Sequence, residues 1–158
     1  MSYEKVKAFF DNKNMGDHLT VHATPCDTVT HAAENIGCEE AQIAKTMSFL
    51  VDEELPIVIV SAGDAKVKSK KYKEVFHKKA KMVPWDEVTA IIGHEPGGVC
   101  PFALNEGVKV YLDVSLQRFT DVHAAAGRPD ATVHLTIEEL EQTADSEGWI
   151  DVCDGWGE

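Results

Sequence analysis

The chain has 158 residues, a formal net charge of −12 and 44% hydrophobic residues. That length suits one domain spanning residues 1–158, able to bury roughly 68–70% of its unfolded surface. The excess of acid argues against strong nonspecific affinity for nucleic acid, DNA included, because phosphate repels it, and no apolar run reaches the ~18 residues of a membrane span.

The opening Met1-Ser2-Tyr3-Glu4-Lys5-Val6 lacks the charged-then-apolar order of a signal peptide, so a cytoplasmic protein is expected. Ser2 is placed to cap a first helix with Tyr3, Val6, Phe9 and Phe10 on one face. A short strand follows over 19–23, and Asp27 or Thr28 caps a second helix carrying Ala32, Ala33 and Ile36, stopped by Gly37. One turn at 39–42 leads into strands at 46–51 and 56–61. The second contains Ile57-Val58-Ile59-Val60, a run typical of burial on both faces. Residues 68–78 read as a helix with Tyr72, Val75 and Phe76 inward and lysines outward. Pro84 starts the next helix, with Val88, Ile91 and Ile92 inward and Gly93 as its stop. Strands are predicted at 108–113, 119–125 and 131–135. Thr136-Ile137-Glu138-Glu139 then reads as a capping box for a last helix reaching about Glu147. Interleaved helices and short, hairpin-linked strands imply a mixed α/β (α+β) fold around a curved mixed sheet.

Charge is unevenly spread. Residues 66–81 hold eight lysines against Glu74 alone, whereas 138–158 hold eight acids and no base. The lysine stretch is either a solvated helix face or a local phosphate-binding patch. Four widely spaced cysteines (Cys26, Cys38, Cys100, Cys153) form no CxxC pair and read as reduced thiols.

The densest chemistry lies in residues 93–104, Gly-His-Glu-Pro-Gly-Gly-Val-Cys-Pro-Phe-Ala-Leu, whose glycines and prolines demand a tightly bent loop. It puts His94 and Cys100 near bare backbone amides. A thiolate–imidazole pair is one reading of those two, and a small packing cysteine is the other. Lys45, the only lysine between Lys13 and Lys66, lies among Ile43, Ala44 and Met47. It either snorkels from a strand edge or serves as a clamp for phosphate or a developing oxyanion. His18, His22 and Cys26 do not share a helical face, and the seven histidines make no cluster along the sequence, so no metal is expected. No P-loop, GxGxxG or GxSxG is present. Gly127-Arg128-Pro129 follows Ala124-Ala125-Ala126, small residues that either pack or leave backbone open to a substrate.

In order, Ala32 to Gly37, Ile43-Ala44-Lys45-Thr46, Ile57 to Asp64, Gly93 to Phe102, Ala126-Gly127-Arg128 and Leu135 to Leu140 carry a family resemblance. Over roughly residues 20–145 the chain resembles the YbaK/ProX family of aminoacyl-tRNA deacylases, related to the editing insertion domain of bacterial prolyl-tRNA synthetases. The resemblance implies a curved mixed sheet or pseudo-barrel flanked by helices, and trans-editing hydrolysis of the ester in a mischarged tRNA, alanyl- or cysteinyl-tRNA for proline being foremost. It implies that Lys45 holds the terminal phosphate or ribose. It further implies that the loop of Gly97, Gly98, Val99, Cys100 and Pro101 shapes the aminoacyl pocket and that Gly127 lines it; His94, from the reading of the loop itself, is a further candidate for substrate binding. No protein nucleophile and no cofactor are implied. The implied partners are the acceptor end of aminoacylated tRNA and a prolyl-tRNA synthetase that helps an acidic chain capture it. Two rival readings remain: a non-catalytic tRNA- or synthetase-binding module using the same pocket, and a Cys–His hydrolase of small esters.

Overall fold

The computed structural model describes residues 2–157. In chain order its elements are α1 (Ser2–Asp11), β1 (Leu19–Val21), α2 (Val29–Ile36), β2 (Ile43–Leu50), β3 (Pro56–Ala62), β4 (Lys66–Val67), α3 (Ser69–Phe76), α4 (Val88–Ile92), β5 (Lys109–Asp113), β6 (Asp121–Ala125), β7 (Ala131–Thr136), α5 (Ile137–Ala144), β8 (Trp149–Ile150) and β9 (Cys153–Asp154). Seven strands form one mixed sheet in the order β1-β7-β6-β2-β3-β5-β8, and β4 pairs with β9 apart from it. β1 and β8 are the two edges, so the sheet does not close and the pseudo-barrel expectation gives way to an open sheet. No helix among the described residues is long and apolar enough to cross a membrane.

Local chemistry sets most element ends. The Thr28 hydroxyl accepts from the His31 N–H at 3.1 Å, and Gly37 closes α2 at φ 83°, where glycine alone is unstrained. Thr136 and Glu139 form the expected reciprocal capping box at the start of α5. That helix stops at Ala144, where Asp145 turns left-handed, and not near Glu147. Ser2 is the first helical residue of α1, and its hydroxyl donates to the Gly93 carbonyl at 3.2 Å, so it ties two segments together and accepts from no helix N–H among the described residues. The lysine-rich helix is shorter than 68–78. Its inward face is Tyr72 with Phe76 beside it, whereas Val75 is exposed.

Central strands β2, β3 and β5 carry the core. Ile57, Val58, Ile59 and Val60 are all fully buried, as an apolar run covered on both faces requires. α1 attaches through Phe10, whose ring meets Phe102 edge-on at 4.8 Å, fixing the 93–104 loop against the body of the protein. Asp113, fully buried, accepts from the Ser115 N–H and the Val152 N–H, both at 3.0 Å. That carboxylate therefore pins the C-terminal segment that carries β9.

Candidate functional site

β2 has strand neighbours on both edges, but not along all of its length. On one side β3 pairs with it from Ala44 to Leu50. On the other, β6 pairs only with Ile43 and Ala44, and residues 81–83 join only from Ser48 onward. Between these two partners the edge of β2 at residues 45–47 has no strand against it among the described residues. A cavity of about 420 Å³ opens at this split. Its walls come from α2 (Val29, Ala32, Ile36), from β6 (His123, Ala124, Ala125) and from Pro96, Gly97 and Val99 of the glycine loop. The volume lies within the ~300–1,000 Å³ of ordinary ligand pockets.

Lys45 lines this cavity from the unpaired stretch. It is partly buried, and its ammonium donates to the Ala65 carbonyl. Burial lowers its pKa below the ordinary lysine value; the nearby Cys153 thiol and Asp64 carboxylate pull the other way, and the like charge of Lys66 adds to the lowering. Thr46, beside it in the wall, has a buried hydroxyl with no hydrogen-bond partner. A partly buried lysine in an apolar wall, next to an unsatisfied hydroxyl and a bare strand edge, suits a small ligand with both an anionic group and hydrogen-bonding atoms.

The sequence-predicted residues fall into two sets. Lys45, Gly97 and Val99 line the cavity. His94, Gly98, Cys100 and Pro101 are buried behind that wall, and Gly127 borders a separate hollow beside α1 with Tyr3 and Arg128. Gly98 and Gly127 join the two loops, the Gly127 N–H donating to the Gly98 carbonyl at 3.0 Å. Side chains have no room at either residue. A Cβ on Gly98 would stand 2.6 Å from the Arg128 nitrogen, and one on Gly127 2.9 Å from the Ser2 carbonyl.

His94 and Cys100 do come together, with Sγ 3.5 Å from Nε2. Yet Nε2 also lies 2.6 Å from the Phe102 carbonyl, which can only accept, so that nitrogen carries the proton and cannot take one from sulfur. Both residues have zero exposure, and burial pushes the Cys100 thiol up to about 12. The pair packs the loop, and a Cys–His hydrolase has no reachable nucleophile here. Cys26, Cys38, Cys100 and Cys153 are free thiols, as their spacing suggests.

Two features go beyond the sequence reading. The first is a pair of apolar side chains at the cavity wall that project into solvent, Trp85 at 77% exposure and Met82 at 59%. The second corrects the expectation that the histidines make no cluster. His123 and His134 face each other across β6 and β7, their rings stacked at 4.3 Å and 10°, and His134 Nε2 lies 2.5 Å from an Asp121 carboxylate oxygen. Burial and the neighbouring His134 hold the His123 pKa below the ordinary imidazole value. His18 and His22 are engaged separately, with the His134 carbonyl at 2.9 Å and the Thr132 hydroxyl at 2.8 Å.

The lysine stretch runs from the neighbourhood of Lys45 to the cavity rim at Met82. Acidic residues of the C-terminal segment engage part of its first half, with Lys68 Nζ 3.9 Å from Asp154. Lys66 pairs with Asp154 in the β4–β9 ladder, and Lys71 reaches Asp151 at 3.0 Å and the Cys153 carbonyl at 2.9 Å. Lys70, Lys73, Lys78, Lys79 and Lys81 are exposed and make no ion pair among the described residues.

The aminoacyl-tRNA editing domain family matches residues 23–143, close to the stretch singled out by the resemblance. Protein YwhH of Bacillus subtilis, uncharacterised, is 44% identical over 156 residues, covering 99% of each chain. A protein of Enterococcus faecalis, EbsC, assigned provisionally as a Cys-tRNA(Pro)/Cys-tRNA(Cys) deacylase, is 26% identical over 78% of this chain and 71% of its own. The fold matches the crystal structure of a candidate trans-editing enzyme for prolyl-tRNA synthetase with a TM-score of 0.86, 24% identity and 98% coverage of both chains.

Proposed function

Because the chain belongs to the aminoacyl-tRNA editing domain family, we propose that it is a free-standing deacylase acting on mischarged tRNA, with alanyl- or cysteinyl-tRNA for proline as substrate. The observation that carries this reading is Lys45, partly buried in the wall of a cavity that opens where β2 loses its strand partner. Its ammonium holds the phosphate or ribose of the terminal nucleotide, and the aminoacyl group enters between α2 and the glycine loop. Water is the nucleophile. An aminoacyl ester is already activated, so positioning and oxyanion stabilisation supply much of the rate without a covalent intermediate. The similarity to EbsC and to the candidate trans-editing structure supports the choice of tRNA. The protein acts in the cytoplasm, where the unpaired lysines of 70–81 offset a repelling net charge and a prolyl-tRNA synthetase delivers the substrate.

The test is a panel of aminoacylated tRNAs, including alanyl- and cysteinyl-tRNA for proline, followed for loss of the amino acid. Rapid hydrolysis of one of those two, with the correctly charged prolyl-tRNA spared, is expected. Absence of turnover on every member, even with the synthetase added, would leave only a binding role for the pocket.

Trp85 supplies a second expectation. An exposed indole at the mouth of a nucleotide-binding cavity is a stacking platform for an unpaired base, worth about 1–3 kcal/mol. Trp85→Ala should raise KM for the charged tRNA roughly five- to 150-fold with kcat little changed, and Trp85→Phe should recover most of the loss. Steady-state kinetics with an unchanged KM in Trp85→Ala would show that the base lies elsewhere.

A further inference from the structure

We propose that Asp121, His123 and His134 form a binding site for one divalent transition metal ion of the zinc type at the edge of the cavity. The inference stands on strand geometry and does not depend on the deacylase reading. Asp121 and His123 are two residues apart on β6, so their side chains leave the same face of the sheet. His134 is the register partner of His123 on antiparallel β7, which puts its side chain on that face as well, at cross-strand contact distance. Two positions on one strand and the facing position on its neighbour make a triangle of donors held by backbone pairing.

One ligand-type atom from each residue lies within 4.8 Å of the other two. Donors around a tetrahedral ion at Zn–N and Zn–O lengths of ~2.0–2.2 Å sit about 3.4 Å apart. Closing the triangle requires the stacked rings of His123 and His134 to tilt out of parallel, and the exposure of His134 with the partial exposure of Asp121 and His123 leaves room for it. Two imidazoles and a carboxylate select zinc, cobalt or nickel over magnesium or calcium, which take oxygen ligands. Without an ion, the His134–Asp121 hydrogen bond uses the same atoms. An incoming ion replaces the shared proton, and each partner then donates a lone pair to the metal. Three protein ligands leave a fourth position for water. Since His123 also lines the cavity, that position lies at its rim.

The experiment uses full-length, tag-free protein stripped with a chelator and titrated with Zn²⁺ by calorimetry, then with Co²⁺ by visible absorption. One equivalent bound, with d–d bands of a four-coordinate site, is expected. His123→Ala and His134→Ala should each weaken binding at least about tenfold, a loss that even outer-shell changes can produce. In the wild type, ring-proton resonances of His123 and His134 should shift with Zn²⁺ while those of His31 and His77 stay in place. The assignment is overturned if the wild type takes up no Zn²⁺, if the double variant still binds one equivalent, or if other histidines shift instead.

Discussion

Replacing Lys45 with methionine is expected to lower deacylation by about 10²–10³-fold while leaving the protein as stable as the wild type or more so. The two halves of that outcome have separate causes. Loss of rate follows from removing Lys45 from the cavity wall, where its proposed partner is a phosphate or ribose of the terminal nucleotide. Stability follows a different logic. Methionine keeps the length and volume of the side chain, and the ammonium it replaces is partly withdrawn from water against the Ala65 carbonyl. The lowered pKa has a definite sign here. Between the folded-state pKa and the ordinary value of 10.5, the unfolded chain holds more protons at this position than the folded one, so stability gains as pH rises through that window. Below that window both states are protonated and the cost is present in full, which the methionine variant removes. Thermal denaturation and single-turnover deacylation of the same preparation read both halves. A Lys45→Met protein that unfolds earlier and hydrolyses normally would show Lys45 to be a structural residue.

The same lowering bears on binding. The grip on uncharged tRNA should weaken with rising pH before a free lysine would titrate, because the folded ammonium gives up its proton below 10.5. Uncharged tRNA is the ligand to use, since aminoacyl esters hydrolyse unaided in alkali.

How far the sequence reached depended on whether a signal was local. Thr28, Gly37 and the Thr136–Glu139 box act within one helical turn, and the structure has them where their chemistry requires. The Ile57–Val60 run announces burial on both faces with no partner needed. By contrast β4, β8 and β9 are two residues long, and Lys66 meets Asp154 across 88 positions. Nothing within such a pair marks it as a strand, since its partner alone defines it.

The site divides in the same way. Lys45 stood out as a lone charge among apolar neighbours, and it does line the cavity. The split beside β2 could not be read, because it arises from where β6 and residues 81–83 stop pairing. Residues of one loop looked alike in sequence but face opposite ways: Gly97 and Val99 front the cavity, while His94 and Cys100 turn inward to the Phe102 carbonyl. The histidine pair did carry a usable signal. Asp121 and His123 alternate along a predicted strand, and His134 lies in the next, beyond the Gly127-Arg128 turn, so folding the hairpin about that turn brings them together.

Gly98→Ala should be the most damaging substitution of a single methyl group in the glycine loop. Its Cβ would stand 2.6 Å from the Arg128 nitrogen, 2.7 Å from the Gly127 carbonyl carbon and 2.8 Å from the Arg128 Cα. All three are backbone atoms, so no side-chain rotation relieves the collision and the two loops must separate. Overpacking of this kind costs about 3 kcal/mol, toward the upper part of its usual range, and should lower Tm by roughly 6–12 °C. Separation also breaks the Gly127-to-Gly98 hydrogen bond and displaces Gly97 and Val99, which wall the cavity. A reacting group displaced by an ångström loses about 10²-fold in rate, so kcat/KM should fall well beyond tenfold even where the variant is fully folded. Gly107→Ala is the matched control. It also lies in a loop, at φ 92°, but a Cβ there meets no atom within 4 Å, so only the left-handed backbone penalty of about 1–2 kcal/mol applies. That variant should lose a little stability and no activity. Equal activity in Gly98→Ala and Gly107→Ala, measured below both unfolding transitions, would mean that the clasp between the loops supports the fold without shaping the site.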